Sequence, residues 1–552
     1  MRLLLLALLA VVSALPSKRA RHGGVASENK MCSRIGADVM RDGGNAADAI
    51  VASTLCIGVV SMYHSGIGGG GFVLVRDSKN KTEFIDFRET APAASTENMY
   101  NNNIDASVTG GLAVGVPGEL RGLAMLHERH GCLPWKRLVM PAVHLARDGF
   151  EVNADLANVM DSKTKSLGYD FLVNDPSWAI DFAPNGTRVG LGDWMTRKRY
   201  SDTLEDVALR GVDAFYTGAR ARALVAAANA TGGIITMADL KNYTVEIREP
   251  ATIDYRGFRI HSGTAPSSGA VALSVMKIIE GFNGMGRASQ INMSTHRLDE
   301  AMRFAYGQRA ELGDPAFVAN MTAFQQYMLS DTIAKSIRAK IQPKTQNVSV
   351  YDPPGLESLP TAGTSALVAA DDSGLAVALT TTVNLYFGSL VMVPETGVVL
   401  NDEMNDFSVP GESNQFGYIP TPNNFIRPGK RPLSSISTTI VEKDGRPFFV
   451  TAAAGGSRII TSTVQQLWYV LDYGLTAAEA LAKPRLHDQL IPNQVSFEWA
   501  YDNSTVADMI ARGHNVTWVA PGFSTQQSVK ITSNGFEAAG EPRQASSGGA
   551  VA

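Results

Sequence analysis

Cysteine is nearly absent. Three residues in 552, namely Cys32, Cys56 and Cys132, exclude a disulfide-stapled scaffold, and a chain this long buries a sizeable core without one. No C-x-x-C, H-E-x-x-H or local Cys/His cluster occurs, so neither a metal nor a cofactor is expected. His127 and His130 stand three apart in HERH, where a solvated helix face explains them better than a ligand pair. Basic charge is not in excess: 49 Lys and Arg against 53 Asp and Glu leave a net charge of −4, which argues against a nucleic-acid partner. Past the first residues no apolar run approaches the ~18 needed to cross a bilayer, so no membrane span is expected once the N-terminus is removed.

That N-terminus is distinctive. Met1-Arg2 precedes an apolar run from Leu3 to Ala14 ending in Val12-Ser13-Ala14, a small-residue cleavage pattern. Residues 1–14 therefore read as a signal peptide, and the basic stretch within 15–22 as a short pro-segment or linker. Nine N-x-S/T sites, at Asn80, Asn185, Asn229, Asn242, Asn292, Asn320, Asn347, Asn503 and Asn515, agree with a secreted glycoprotein. A vacuolar or cell-surface destination would use the same entry. In an oxidising compartment Cys32 and Cys56, which flank and end a predicted helix, are expected to pair and leave Cys132 over.

Asn45 caps that helix, read from Asn45 to Ile57. A glycine run, Gly66 to Gly71, then leads into a strand at Phe72–Val75, with another at Thr82–Phe87. From about 118 to 345 the periodicity is mainly helical. The interval 347–360 is polar and Pro-rich and reads as an exposed connector. Beyond it, 365–370 and 375–383 form a hairpin about Asp371-Asp372-Ser373-Gly374, and 437–442 and 447–453 form another. A helix is expected at 459–473. Hairpins alternating with helices point to an α+β fold with helices on the faces of antiparallel sheets.

Two short motifs are weak. Gly66, Gly68 and Gly71 match G-x-G-x-x-G, but a dinucleotide site needs a strand before it and a helix after it, and here the order is reversed. A tight backbone path is the better explanation. Ser274-x-x-Lys277 matches a serine-hydrolase pair without its companion motifs, so a helix surface is expected.

The stretch from Gly363 to Asp406 differs in kind. A threonine after a glycine opens a strand, Thr380-Thr381-Thr382 lie on its hairpin partner, and Asn384, Glu403 and Asp406 follow, with Ser434-Ser435 and Gly455-Gly456 further on. Together with SRIGADVMRDGGNAADAIVA, SGIGGGGF and FIDFRETAP early in the chain, and LTTTVNLYFGS, LNDEMNDFS, NNFIRPGKRPLSS, AAAGGS and KPRLHDQLIPN late in it, this ordered set resembles the γ-glutamyltranspeptidases, or glutathione hydrolases, from about Gly23 onward.

The resemblance implies an N-terminal-nucleophile hydrolase: a four-layer αββα sandwich that cuts itself between Gly363 and Thr364 into a large subunit, 23–363, and a small subunit, 364–552, which stay associated. It places Thr364 as nucleophile, Thr382 as the hydroxyl that orients it and Gly455 and Gly456 as the oxyanion hole. Arg88, with Ser434 and Ser435, corresponds to the grip on the substrate α-carboxylate. Asn384, Glu403 and Asp406, set opposite, correspond to the grip on its ammonium, and Tyr386 to a cover over the acyl group. The implied substrates are glutathione and other γ-glutamyl compounds, with water, amino acids or dipeptides as acceptors and no cofactor. Two positions depart from the family pattern: Ala366 replaces a histidine and Asn405 an aspartate. Another N-terminal-nucleophile amidase, such as a cephalosporin acylase, or an inactive homologue are the competing readings.

Overall fold

The computed structural model describes residues 22–352, 355, 363–411 and 420–552. The signal-peptide reading at 1–14 and nearly all of 15–22 lie outside the described residues, as does most of 353–362. Two antiparallel sheets face each other. The first runs, edge to edge, Gly548–Val551, Gly23–Ser27, Thr364–Asp371, Ala376–Thr382, Gly70–Arg76, Thr82–Phe87 and Glu246–Arg248. The second runs Gly535–Ala539, Thr525–Thr532, Arg446–Ala454, Thr439–Lys443, Phe258–Ser262 and Ala251–Tyr255.

Side-chain alternation shows why these strands stack. On Thr364–Asp371, Ala366, Val368 and Ala370 enter the core between the sheets, while Leu367 and Ala369 enter the core under the outer helices. On Ala376–Thr382, Ala378 faces the other sheet and Leu379 the helices. A period of two with both faces apolar requires cover on both sides. Helices Lys30–Arg41 and Ala46–Val60 cover the first sheet. Gly269–Glu280 and Arg458–Leu471 cover the second, and Ile291–Arg309 packs on the outer side of Gly269–Glu280. The result is the expected four-layer αββα sandwich. No helix among the described residues is long and apolar enough to cross a membrane.

The helix at Ala46–Val60 begins as its sequence predicts: the Asn45 side chain accepts from Ala47 and Asp48, and Asp48 accepts from the Asn45 amide. Its residue Cys56 is bonded to Cys32 on the neighbouring helix, a link worth about 3 kcal/mol for a loop of this size. Cys132 is free and exposed. In the glycine run, a Cβ at Gly68, Gly69 or Gly71 would collide with the carbonyl oxygens of Val399, Thr382 and Thr380. The run is therefore a packed backbone path with no phosphate cradle.

Four expectations need correction. The stretch read as mainly helical also contributes five short strands, of which Glu246–Arg248, Ala251–Tyr255 and Phe258–Ser262 join the two large sheets and Phe150–Glu151 pairs with Trp194–Met195. Ser274 and Lys277 are buried, the serine donating to Gln308 and the lysine to Glu280, because this helix is sandwiched between other layers. His127 and His130 are not simply solvated: His127 Nε2 meets the Leu133 carbonyl, and His130, with Arg129, holds Glu83. The connector is exposed at Asn347 and Ser349, as expected, but turns inward at Tyr351 and Asp352.

Candidate active site

Thr364 opens a central strand, directly opposite Thr382 on the neighbouring one. Residues paired across a sheet project from the same face, so both side chains lie on the face toward the second sheet. Gly363 reaches this point with φ = 125°, and a Cβ there would collide with the Asn384 carbonyl, so only glycine fits. The Thr382 hydroxyl donates to the Gly363 carbonyl oxygen at 2.7 Å and accepts from the Asn384 amide at 2.7 Å. In the uncut chain, Thr382 thus holds the carbonyl next to Thr364, where the sequence implied that it orients the threonine itself.

Behind the strand, Thr381 points the other way and donates to buried Glu119, whose carboxyl burial pushes up to about 8. The strand Arg446–Ala454 ends at Gly455-Gly456, and helix Arg458–Leu471 follows at once. A glycine pair before a helix N-terminus presents backbone amides to an oxyanion.

The charged residues form one buried cluster. Arg88, 1% exposed, pairs with both Glu403 and Asp406. Burial, the largest influence on Arg88, works against its charge, but Glu403, Asp406 and Glu89 outweigh it. Burial also holds Glu89, Glu403 and Asp406 above the usual carboxylate range against the pull of Arg88. The resemblance set Glu403 and Asp406 opposite Arg88. The structure corrects that arrangement: all three charges touch, since an unpaired ion at this depth costs several kcal/mol.

Asn384 donates Nδ2 to the Asp402 carbonyl, which leaves its amide oxygen as an acceptor. Ser434 Oγ accepts from the Ile436 amide, and Ser435 Oγ accepts from Arg309 at 3.0 Å. Arg309 and Glu89 were not foreseen. Glu89 adjoins Arg88 in FIDFRETAP and could have been taken from that motif. Arg309 had no signal beyond helical periodicity.

Gly363, Thr364, Tyr386 and Gly455 line a cleft of about 410 Å³ with Tyr63, His64, Asp155 and Phe523. Arg88, Asn384, Glu403, Asp406, Ser434, Ser435 and Gly456 are not in its lining. Tyr386 is 37% exposed, its ring 5.9 Å from that of Tyr63. Ala366, at the departure from the family histidine, is buried, and its amide donates to Glu28, which also pairs with His64 at 2.9 Å. Asn405 donates to Ser107, so neither departure touches the charged cluster. Eight of the nine sequon asparagines are exposed, while Asn292 is half-buried and accepts from Thr505.

A model of the family described as gamma-glutamyltranspeptidase matches residues 32–551. The chain is 53% identical over 544 residues to the glutathione hydrolase proenzyme of Arthroderma benhamiae, covering 96% of this chain and 93% of that one. Among solved structures, a cephalosporin acylase from Bacillus halodurans superposes with a TM-score of 0.83 at 26% identity, covering 99% of each chain. The Helicobacter pylori γ-glutamyltranspeptidase superposes with a TM-score of 0.55 at 31% identity, covering 59% of this chain and 93% of that one. Matched over almost its whole length by the family model and by a close relative, and built as the same sandwich, the chain belongs to the γ-glutamyltranspeptidase family.

Proposed function

We propose that this protein is a glutathione hydrolase and γ-glutamyltransferase that matures by cutting itself between Gly363 and Thr364. The observation that carries the proposal is the placement of Thr364 at a strand head, beside a Gly363 carbonyl already held by the Thr382 hydroxyl. Attack of Thr364 Oγ1 on that carbonyl forms an oxyanion to which Thr382 donates. Collapse moves the acyl group from nitrogen to oxygen, and water hydrolyses the ester. The freed α-amine, with a reference pKa of about 8, then serves as base for the same hydroxyl.

In turnover the γ-glutamyl group brings a carboxylate and an ammonium at one end and the scissile amide at the other. Arg88, with Ser434 and Ser435, takes the carboxylate, for which a guanidinium fork is suited. Asp406, Glu403 and the Asn384 amide oxygen take the ammonium. Binding exchanges internal ion pairs for pairs with the zwitterion, so the buried charge stays balanced. The clamp aims the δ-carbonyl at Thr364, and the Gly455-Gly456 amides stabilise the tetrahedral oxyanion. Water releases glutamate from the acyl-enzyme, and an amino acid or dipeptide gives a new γ-glutamyl amide.

The superposition on a cephalosporin acylase raises a second reading, a glutaryl-type amidase, but the buried charged cluster favours an α-amino acid end. Asp406→Asn is expected to raise KM for a γ-glutamyl anilide about 10- to 100-fold, the loss of one charge-assisted contact. A glutaryl anilide, which has no amine, loses far less. Equal losses on the two substrates would assign Asp406 a structural role and favour the amidase reading.

The signal-like N-terminus and the exposed sequons support entry into the secretory pathway, with release outside the cell or delivery to a vacuole or the cell surface. Expressed in a eukaryotic secretory host, the mature protein is expected to begin at or after Leu15 and to lose mass on deglycosylation. Retention of Met1 with no mass loss would refute this.

A further inference from the structure

Away from the nucleophile, helix Ile291–Arg309 carries His296 and Glu300 one turn apart, which puts both on one face. His514 reaches the same point from a loop more than 200 residues later. All three are buried, and one ligand atom from each lies within 4.8 Å of the others. Hydrogen bonding fixes how the rings face. His296 Nε2 donates to the Gln342 carbonyl at 2.8 Å, which leaves Nδ1 with a lone pair in the neutral ring. His514 Nδ1 lies 3.0 Å from Asp299 Oδ2, off the ideal hydrogen-bond line. The inner nitrogens, His296 Nδ1 and His514 Nε2, then face each other at 2.8 Å, with the His514 N–H donating to the His296 lone pair. A metal ion that takes the place of that proton gains a lone pair from each ring.

Charge points the same way. Asp299, Glu300 and Asp488 are three buried carboxylates. The guanidinium among them, Arg303, is committed to Asp488 at 2.8 Å. Neither Asp299 oxygen makes a hydrogen bond among the described residues. Tyr351 Oη stands 2.8 and 2.7 Å from the two Glu300 oxygens, orienting that carboxylate.

We propose that His296, Glu300 and His514 bind a divalent first-row metal ion, with zinc the best fit. Two imidazoles and a carboxylate form a His₂Glu set with a fourth position open. The Gln342 carbonyl on one ring and the Asp299 carboxylate beside the other are the outer partners such ligands use. Two nitrogens each ~2.0 Å from a tetrahedral ion stand about 3.3 Å apart, so binding requires the rings to part by about half an ångström. Local spacing conceals the site because its third ligand is remote from the first two. If the chain is cut before Thr364, the ion ties the large subunit to the small one. The site itself does not depend on the cut.

The test is the zinc content of protein purified without chelator, as wild type and as the uncut Thr364→Ala chain. About one zinc per chain is expected in both, so the result is independent of maturation. His514→Ala should lose the ion. Glu300→Gln, which keeps the size, should bind Zn²⁺ much more weakly, and Asp299→Asn about 10- to 100-fold more weakly. Added Zn²⁺ should raise the melting temperature of metal-stripped wild type and leave that of His514→Ala unchanged. Absence of zinc from the purified protein, with no uptake and no melting shift on adding Zn²⁺, would overturn the proposal and leave a proton shared between the two rings.

Discussion

Thr364→Ala should yield a folded, uncut chain with no measurable γ-glutamyl transfer. The substitution removes the hydroxyl that attacks both the Gly363 carbonyl and the substrate, so one change abolishes two reactions. Loss of a nucleophile in a comparable acyl-transfer enzyme costs on the order of a millionfold in kcat. Folding should survive, because Thr364 is half-exposed at a strand end and its neighbours Ser365 and Ala366 keep their register with Thr381 and Thr380. Thr364→Ser keeps a hydroxyl and should still mature, more slowly, because the serine Oγ lacks the methyl group that restricts χ1. A denaturing gel alongside a γ-glutamyl anilide assay reads both variants. Turnover by Thr364→Ala would remove this residue from the mechanism.

Substitutions at Arg88 should have the next largest effect, and two of them separate binding from folding. Arg88→Met leaves Glu403, Asp406 and Glu89 buried without their counter-charge, a defect of about 3–5 kcal/mol, and a depressed melting temperature should accompany lost activity. Arg88→Lys keeps the charge and loses the fork that reaches two partners at once. It should fold with a melting temperature near that of wild type, while kcat/KM falls about 100-fold, mostly through KM. A lysine variant with wild-type kcat/KM on a γ-glutamyl anilide would mean that Arg88 serves only to neutralise the two acids.

The residues differ in how much of this was legible beforehand. The hairpin about Asp371–Gly374 announces itself through turn chemistry between two apolar runs, and Asn45 announces the helix it caps. The nucleophile region is legible because its motifs are long and keep their order. The strands Ala251–Tyr255 and Phe258–Ser262 are short, lie between helices and turn through Arg256 and Gly257, both at positive φ. The alternation of apolar and polar residues in Ala251–Tyr255, borne out by its alternating burial, was the available signal, outweighed by the helical periodicity around it. The pairing of Arg88 with Glu403 and Asp406 spans more than 300 residues. A sequence supplies the signs of such charges but not their contacts, so the arrangement of two facing sets gave way to a single cluster with Arg309 nearby. For the same reason the His296–Glu300–His514 constellation was invisible: local spacing reveals ligands only when one element or one loop carries them.

The most direct test of the central claim is N-terminal sequencing of the smaller chain of the mature wild-type protein. The account predicts a chain that begins Thr364-Ser365-Ala366-Leu367 and stays associated with the larger one, since strands from both sides of the cut interleave within the first sheet. A small chain beginning at any other residue, or an active enzyme that is never cut, would contradict it.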